Sequence, residues 1–166
     1  MVIEQMKNKN LPTESVWDYP RPPRLESVSQ HIRIVHQDII LADSNRTFRV
    51  LETSHPPVYY IPAKDIRMEY LQLVNGKQSF CEFKGSAIYY HLRVGTQLVQ
   101  NVAWAYPTPS HKFSSIANHL AFYASKVGAC YVGDEQVQAQ EGDFYGGWIT
   151  SNIKGPFKGG PGTWGW

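Results

Sequence analysis

Prolines and glycines interrupt this chain too often for a long helix to form. Pro20, Pro22 and Pro23 fall within WDYPRPPR (17 to 24), Pro56, Pro57 and Pro62 bound the segment 55 to 62, and Pro107 and Pro109 break the chain after AWAY. Proline has a fixed φ and no N–H, so each group stops both a helix and a central strand. Between these breaks lie the turn signals Asn75-Gly76, Gly95 and Gly133-Asp134. What remains is a series of short runs rich in Ile, Val, Tyr and Phe, the residue types and lengths that make strands.

The runs can be read individually. Ile32, Ile34 and His36 share one face, a turn follows at Gln37-Asp38, and Ile39-Ile40-Leu41 leads away, which predicts a hairpin. RTFRVLETS (46 to 54) alternates as a strand, and HPPVYYIP is extended. Asn75-Gly76 predicts a tight hairpin turn, Gly95 separates two strands within 86 to 106, and 116 to 137 gives two more. Short helical turns are expected near 63 to 67 and 114 to 119. The predicted fold class is mainly β: antiparallel sheets forming a sandwich or a barrel-like single domain. Two similar halves are an option, since Arg33-Ile34 matches Arg93-Val94 and Tyr60 to Asp65 matches the stretch from Tyr123 to Lys126.

Length and composition agree with one domain: 166 residues, of which 42% are hydrophobic and 18% charged, enough apolar surface to offset chain entropy. We divide the chain into a flexible N-terminal segment (1–16), a β domain (17–137) and a Gly/aromatic tail (138–166). The tail holds eight of the 13 glycines together with Phe144, Tyr145, Trp148, Phe157, Trp164 and Trp166. Aromatics so dense expose large apolar faces if free, so the tail is expected to dock on the domain or on a partner subunit, and a homodimer is the expected supplier of extra surface.

Several function classes lose support at this level. Sixteen basic and 14 acidic residues give a net charge of +2, with the cations scattered, so nucleic acid is not an expected partner. No apolar run reaches the length of a membrane span and no apolar signal core opens the chain, so no membrane partner and a cytoplasmic location are expected. Cys81 and Cys130 lack CxxC spacing, so neither a disulfide framework nor a metal site is expected. The chain has no GxGxxG, GxxxxGK[ST] or GxSxG motif, its acids form no DxD pair, and no cofactor is implied.

The residues that could carry chemistry fall into four clusters. His55, held by Pro56 and Pro57, could exchange a proton near neutral pH, or could be a packed loop histidine. Lys84, ahead of Gly85 in FCEFKG, could clamp an anion, or could be an ordinary turn lysine. Trp104 and Tyr106 share one strand face and could stack a flat ligand, or could be core. His119, ahead of Tyr123, repeats the pattern of His55 ahead of Tyr59 and Tyr60. His55 and His119 are therefore the candidate catalytic residues, and Tyr60, Lys84, Trp104 and Tyr106 the candidate ligand-binding residues.

The motifs VWDYPRPPRLE, RVLETSHPPVYYIPAKDIRM, FCEFKGSAIYYHLRV, NVAWAYPTP and IANHLAFYASKV, in this order over about residues 17 to 137, resemble the family catalogued as domain of unknown function 427, sometimes labelled nucleotidyltransferase-like. The resemblance implies a small, mainly β domain without an established activity; the nucleotidyltransferase label draws no support from the acids present. Family members usually have proline where this chain has Glu82. The expected function is that of a soluble domain binding a small flat or anionic metabolite, with acid/base catalysis as an extension. The alternative is a non-catalytic protein-interaction module using the aromatic tail.

Overall fold

A computed structural model describes residues 11–142 and 144–166. Its elements are strands and short 3-10 turns throughout. In chain order the strands are β1 (Glu14–Ser15), β2 (Arg24–Ser27), β3 (Ile32–His36), β4 (Ile39–Ser44), β5 (Phe48–Leu51) and β6 (Val58–Pro62). Then come β7 (Leu71–Cys81), β8 (Gly85–Val94), β9 (Gln97–Ala105), β10 (His119–Phe122), β11 (Ala129–Val132) and β12 (Glu135–Gln136). The tail adds β13 (Gln138–Ala139), β14 (Trp148–Ile149) and β15 (Ile153–Lys154).

Two antiparallel sheets carry the fold. One has seven strands in the order β2-β5-β6-β10-β9-β8-β7, the other four in the order β12-β11-β3-β4. β2 and β7 stand at opposite ends of the larger sheet, so no barrel closes, and of the two expected shapes the barrel is excluded. No helix among the described residues is long and apolar enough to cross a membrane.

The two-residue period of a strand splits the larger sheet into two chemically different faces. On β6, Tyr59 and Ile61 join Ile32, Ile34, Leu41 and Cys130 of the smaller sheet in the main core. Their neighbour Tyr60 points the other way, into a second cluster with Trp104, Tyr106 and Phe113. β10 does the same, with Leu120 and Phe122 facing the main core and Ala121 and Tyr123 the second cluster. The main core is mostly aliphatic, whereas the second face is mostly aromatic, and that difference positions the site described below.

β6 and β10 lie side by side, and each is followed by a three-residue 3-10 turn, Ala63–Asp65 and Ala124–Lys126. The second expected helical turn is found at His111–Ile116. Asn75-Gly76 does not make the expected hairpin. β7 runs straight through it, with pairing to β8 interrupted between Leu73 opposite Tyr90 and Gln78 opposite Ile88. Gly76 has φ +77°, a conformation that serves a bulge as well as a tight turn. The chain reverses later, at Glu82 to Lys84.

The terminal segments are held by specific contacts. Glu14–Ser15 pairs in parallel with Ile153–Lys154, and Val16 is fully buried with Leu51 and Ile153. The remainder of the expected N-terminal segment includes residues 1–10, which lie outside the described residues. In the tail, Trp148 is buried, stacks on Tyr59 with ring centroids 5.1 Å apart, and donates its Nε1–H to the Phe122 carbonyl at 3.0 Å. Phe144 and Trp164 are exposed, 70% and 85%.

Candidate functional site

The aromatic face of the larger sheet is hollowed into a cleft of about 370 Å³. Its walls include Tyr60, Lys84, Trp104 and Tyr106, with His55 and Tyr145 at the side where the tail crosses. Tyr60 and Trp104 meet edge to face with centroids 6.4 Å apart, and Trp104 Nε1–H donates to the Tyr60 hydroxyl at 3.3 Å. The Tyr123 ring packs against Trp104, tilted, with centroids 4.7 Å apart.

Each polar group arrives there through a local device. The chain reverses after β7, where the Lys84 N–H donates to the Cys81 carbonyl at 3.2 Å, and Gly85 follows with φ +112°. The segment after β9 braces this turn: Ser110 N–H donates to the Lys84 carbonyl and Ser110 Oγ to the Phe83 carbonyl. Lys84 is thereby only 9% exposed, with its Nζ 5.9 Å from the ring centroids of both Tyr106 and Phe113. Among the described residues no carboxylate pairs with it and no hydrogen bond receives its protons.

His55 sits in a loop whose central residue, Ser54, has φ 71° and is completely buried. The His55 Nδ1 lies 2.9 Å from the Thr53 carbonyl. A carbonyl can only accept, so Nδ1 carries the proton of the neutral ring and Nε2 keeps the lone pair. Burial pulls the His55 pKa below its ordinary value, so the ring is neutral at pH 7. The tyrosine hydroxyls shift the other way: burial raises Tyr60 and Tyr106, and pushes Tyr123 up to about 12. They stay protonated, and those of Tyr60 and Tyr106 can donate hydrogen bonds to a ligand.

The tail completes the wall. Gln140, buried, accepts from Gly147 N–H at 3.0 Å and donates through Nε2 to the Lys158 carbonyl at 2.7 Å, which sets the course of the strap from 144 to 147. Gly146 lies directly on the Trp104 ring, and an added Cβ would stand 2.1 Å from Cη2. The Tyr123 hydroxyl donates to the Phe144 carbonyl at 3.2 Å.

Of the sequence-derived residues, the cleft gathers His55, Tyr60, Lys84, Trp104 and Tyr106, while His119 lies elsewhere. Its ring is 5.5 Å from that of Phe48, near the Asp65 carboxylate, and it does not line the cleft. Tyr89, Gln140, Tyr145 and Lys158 line the cleft and were not singled out from the sequence. Strand alternation could have found Tyr89, which shares its sheet face with Trp104; nothing local marks the tail residues.

A larger hollow, about 530 Å³, lies beside the N-terminal arm, and most of the charged residues that line it are paired with one another. Arg49 pairs with Glu14 at 2.9 Å and Glu26 at 2.6 Å, and the Tyr19 hydroxyl donates to Glu14 at 2.6 Å. That network fastens the arm to the sheet. Among the described residues no group of three His, Cys, Asp or Glu side chains is placed to hold a metal ion. Both cysteines are free, Cys81 at the cleft wall and Cys130 in the main core.

A family model described as a domain of unknown function (DUF427) matches residues 24–133, which is 110 of the 166 residues, and the chain belongs to that family. The matched span holds β2 to β11 and all five gathered residues; the strap that closes the cleft lies beyond it. No curated protein matches the chain.

Proposed function

We propose that this DUF427 domain binds a small, flat, anionic molecule in the aromatic cleft and can move a proton on it. One observation carries the reading: Lys84, a side chain only 9% exposed and without a carboxylate partner among the described residues, lines a hollow walled by Tyr60, Trp104 and Tyr106. A bound anion would supply the charge-assisted partner that this ammonium lacks in the protein. Ligand sites usually combine such apolar walls with a few polar heads.

His55 supplies the chemistry. Its Nε2 lone pair is the acceptor for a ligand proton, the bond from Nδ1 to the Thr53 carbonyl steadies the imidazolium that forms, and that imidazolium together with Lys84 balances the two negative charges of the deprotonated anion. A second reading draws on Trp164, exposed at 85%, and on Trp17 and Trp166, which meet edge to face at 5.3 Å. In that reading the aromatic end is a contact for another protein or a second copy of this chain.

The indole Nε1–H resonances of the five tryptophans separate the two readings. A screen of flat acids that shifts the Trp104 signal while leaving Trp164 unmoved supports the cleft. Signals of Trp17, Trp164 and Trp166 that move with protein concentration, with Trp104 indifferent to every compound, would replace it with the contact reading.

A further inference from the structure

Cys81 stands in the cleft with its sulfur unengaged. It is the last residue of β7, and the two-residue period of the strand puts it on the same side as Ser79, whose Oγ meets the Tyr89 hydroxyl at 2.6 Å. Both residues line the cleft with Tyr60, Lys84 and Tyr106. The thiol is free and half-buried, no hydrogen bond holds it among the described residues, and it acts electrostatically on the Tyr60 and Tyr106 hydroxyls. Cys130 is its opposite: 1% exposed in the main core, with burial pushing its thiol pKa up, so little thiolate forms there and reagents are kept out.

A half-buried thiol alone is packing. What sets Cys81 apart is the charge around it. The Lys84 side chain is 9% exposed, lines the same hollow, and has neither a hydrogen bond nor a carboxylate partner among the described residues. Lys158 adds a second ammonium to the wall, its Nζ donating to the Trp166 backbone oxygen at 3.2 Å. The one carboxylate on the wall among the described residues, that of Glu52, pairs with Arg21 at 3.4 Å. A wall with an excess of positive charge raises the local concentration of anions.

We propose that Cys81 is a covalent capture site for carbon electrophiles that carry an acidic head, the head being held by the ammonium groups of the cleft; this rests on the anion-binding reading above. The chemical class is an α,β-unsaturated ketone with a separate anionic group. The thiol gives its proton to water, and the thiolate sulfur forms a bond to the carbon β to the ketone. The electron pair of the C=C bond moves to the ketone oxygen, and the enolate then takes a proton from water at the α-carbon. S–H has thus been added across the double bond, with nothing oxidised and no group expelled. The Tyr60 hydroxyl, which accepts from Trp104 and keeps its own proton, and the Tyr106 hydroxyl are the donors available to the enolate oxygen. An organic body between head and reactive carbon suits walls made of the Tyr60, Trp104 and Tyr106 rings.

The test offers the same reactive carbon with and without the charge: trans-benzoylacrylate and its methyl ester, each added to the full chain. Labelling is followed by intact mass and located by peptide mapping, with mercaptoethanol as the free thiol for reference. The acid-to-ester rate ratio should exceed that of mercaptoethanol by at least about tenfold, the lower end of what a cleft of one charge sign gives. The label should sit on Cys81 and not on Cys130, and Lys84→Met should lower the ratio. A ratio equal to that of the free thiol, or a label absent from Cys81, would overturn the capture site. Benzoylpropionate, the saturated acid that cannot react, is titrated alongside with the Trp104 Nε1–H resonance as readout. A shift there without acid-selective labelling strikes the capture site and leaves the binding reading standing; an unmoved Trp104 signal with no selective labelling removes both. The rate ratio uses the unaltered protein, so it decides the matter even if the Lys84 variant fails to fold.

Discussion

His55 and His119 hold their rings by the same local device. Each Nδ1 donates to the carbonyl two residues earlier, that of Thr53 at 2.9 Å and that of Ala117 at 2.8 Å. The residue between, Ser54 or Asn118, is left-handed, with φ of 71° or 61°. That turn folds the ring back over its own backbone and fixes the same tautomer in both. Each histidine also precedes a tyrosine by four positions, Tyr59 or Tyr123. The likeness is local, and only His55 stands at the cleft.

The two histidines give the protein a predictable acid response. Burial lowers both pKa values below the ordinary 6.5. Between 6.5 and the lowered folded values the unfolded chain binds more protons, so this stabilisation is full above pH 6.5 and is lost as pH falls through the folded values. The Asp65 carboxyl is held below its ordinary 3.8 by its hydrogen bonds from Arg46, so its contribution is lost at lower pH, in a separate window. Urea midpoints measured from pH 7.5 to 5 should fall for the native chain. Replacing either histidine by Asn should flatten that fall, and an unchanged slope in both variants would show the rings to be indifferent to burial.

Gly146 is where the tail and the cleft meet most closely. Since a Cβ there would lie 2.1 Å from Cη2 and 2.8 Å from Cζ3 of Trp104, Gly146→Ala must displace the strap or the ring. Tyr60 and Tyr123 both pack against that ring, so overpacking should cost about 1–3 kcal/mol. The same substitution at Gly165, which has nothing within 4 Å, should be nearly silent. Chemical denaturation of the two variants checks the contrast, with the Trp104 resonance shifted only in Gly146→Ala.

How far the site was legible in the sequence depended on how local each signal was. Lys84, Trp104 and Tyr106 could be picked out because a turn and a strand face are written in adjacent residues. The pairing of His55 with His119 failed because their shared backbone device says nothing about which part of the sheet face each will reach. Asn75-Gly76 misled for a related reason: a positive φ meets the needs of a bulge and of a hairpin alike, and only pairing across β8 decides between them. Gln140 and Gly146 had no local mark, because their roles exist only once residues distant in sequence, Lys158 and Trp104, are brought beside them.

The tail's aromatics should divide sharply in energetic weight. Trp148 is 1% exposed, stacked on Tyr59 and hydrogen-bonded to Phe122, so Trp148→Ala removes a packed ring and leaves a carbonyl unpaired. We expect a loss of about 3–5 kcal/mol. Trp164→Ala, at an exposed position, should stay within about 0.5 kcal/mol. Equal costs would mean that the tail packs differently in solution.

Two glycines with positive φ test whether the turn carrying Lys84 sets the cleft. Gly76 (φ +77°) and Gly85 (φ +112°) both hold conformations that disfavour a side chain, so alanine at either should destabilise the fold by about 1–3 kcal/mol. Their surroundings differ. Nothing lies within 4 Å of a Cβ at Gly76, so that strain is absorbed in the bulge of β7. At Gly85 the Cβ would come 3.4 Å from the Thr108 carbonyl oxygen, against the segment whose Ser110 holds the Lys84 carbonyl. Because the strain at Gly85 falls in the turn that carries Lys84, Gly85→Ala should move the ammonium and weaken severalfold the affinity for a flat acid that shifts the Trp104 resonance, while Gly76→Ala keeps native affinity at a comparable loss of stability. Equal affinity in the two variants would detach the position of Lys84 from its turn and place the determinant in the aromatic walls alone.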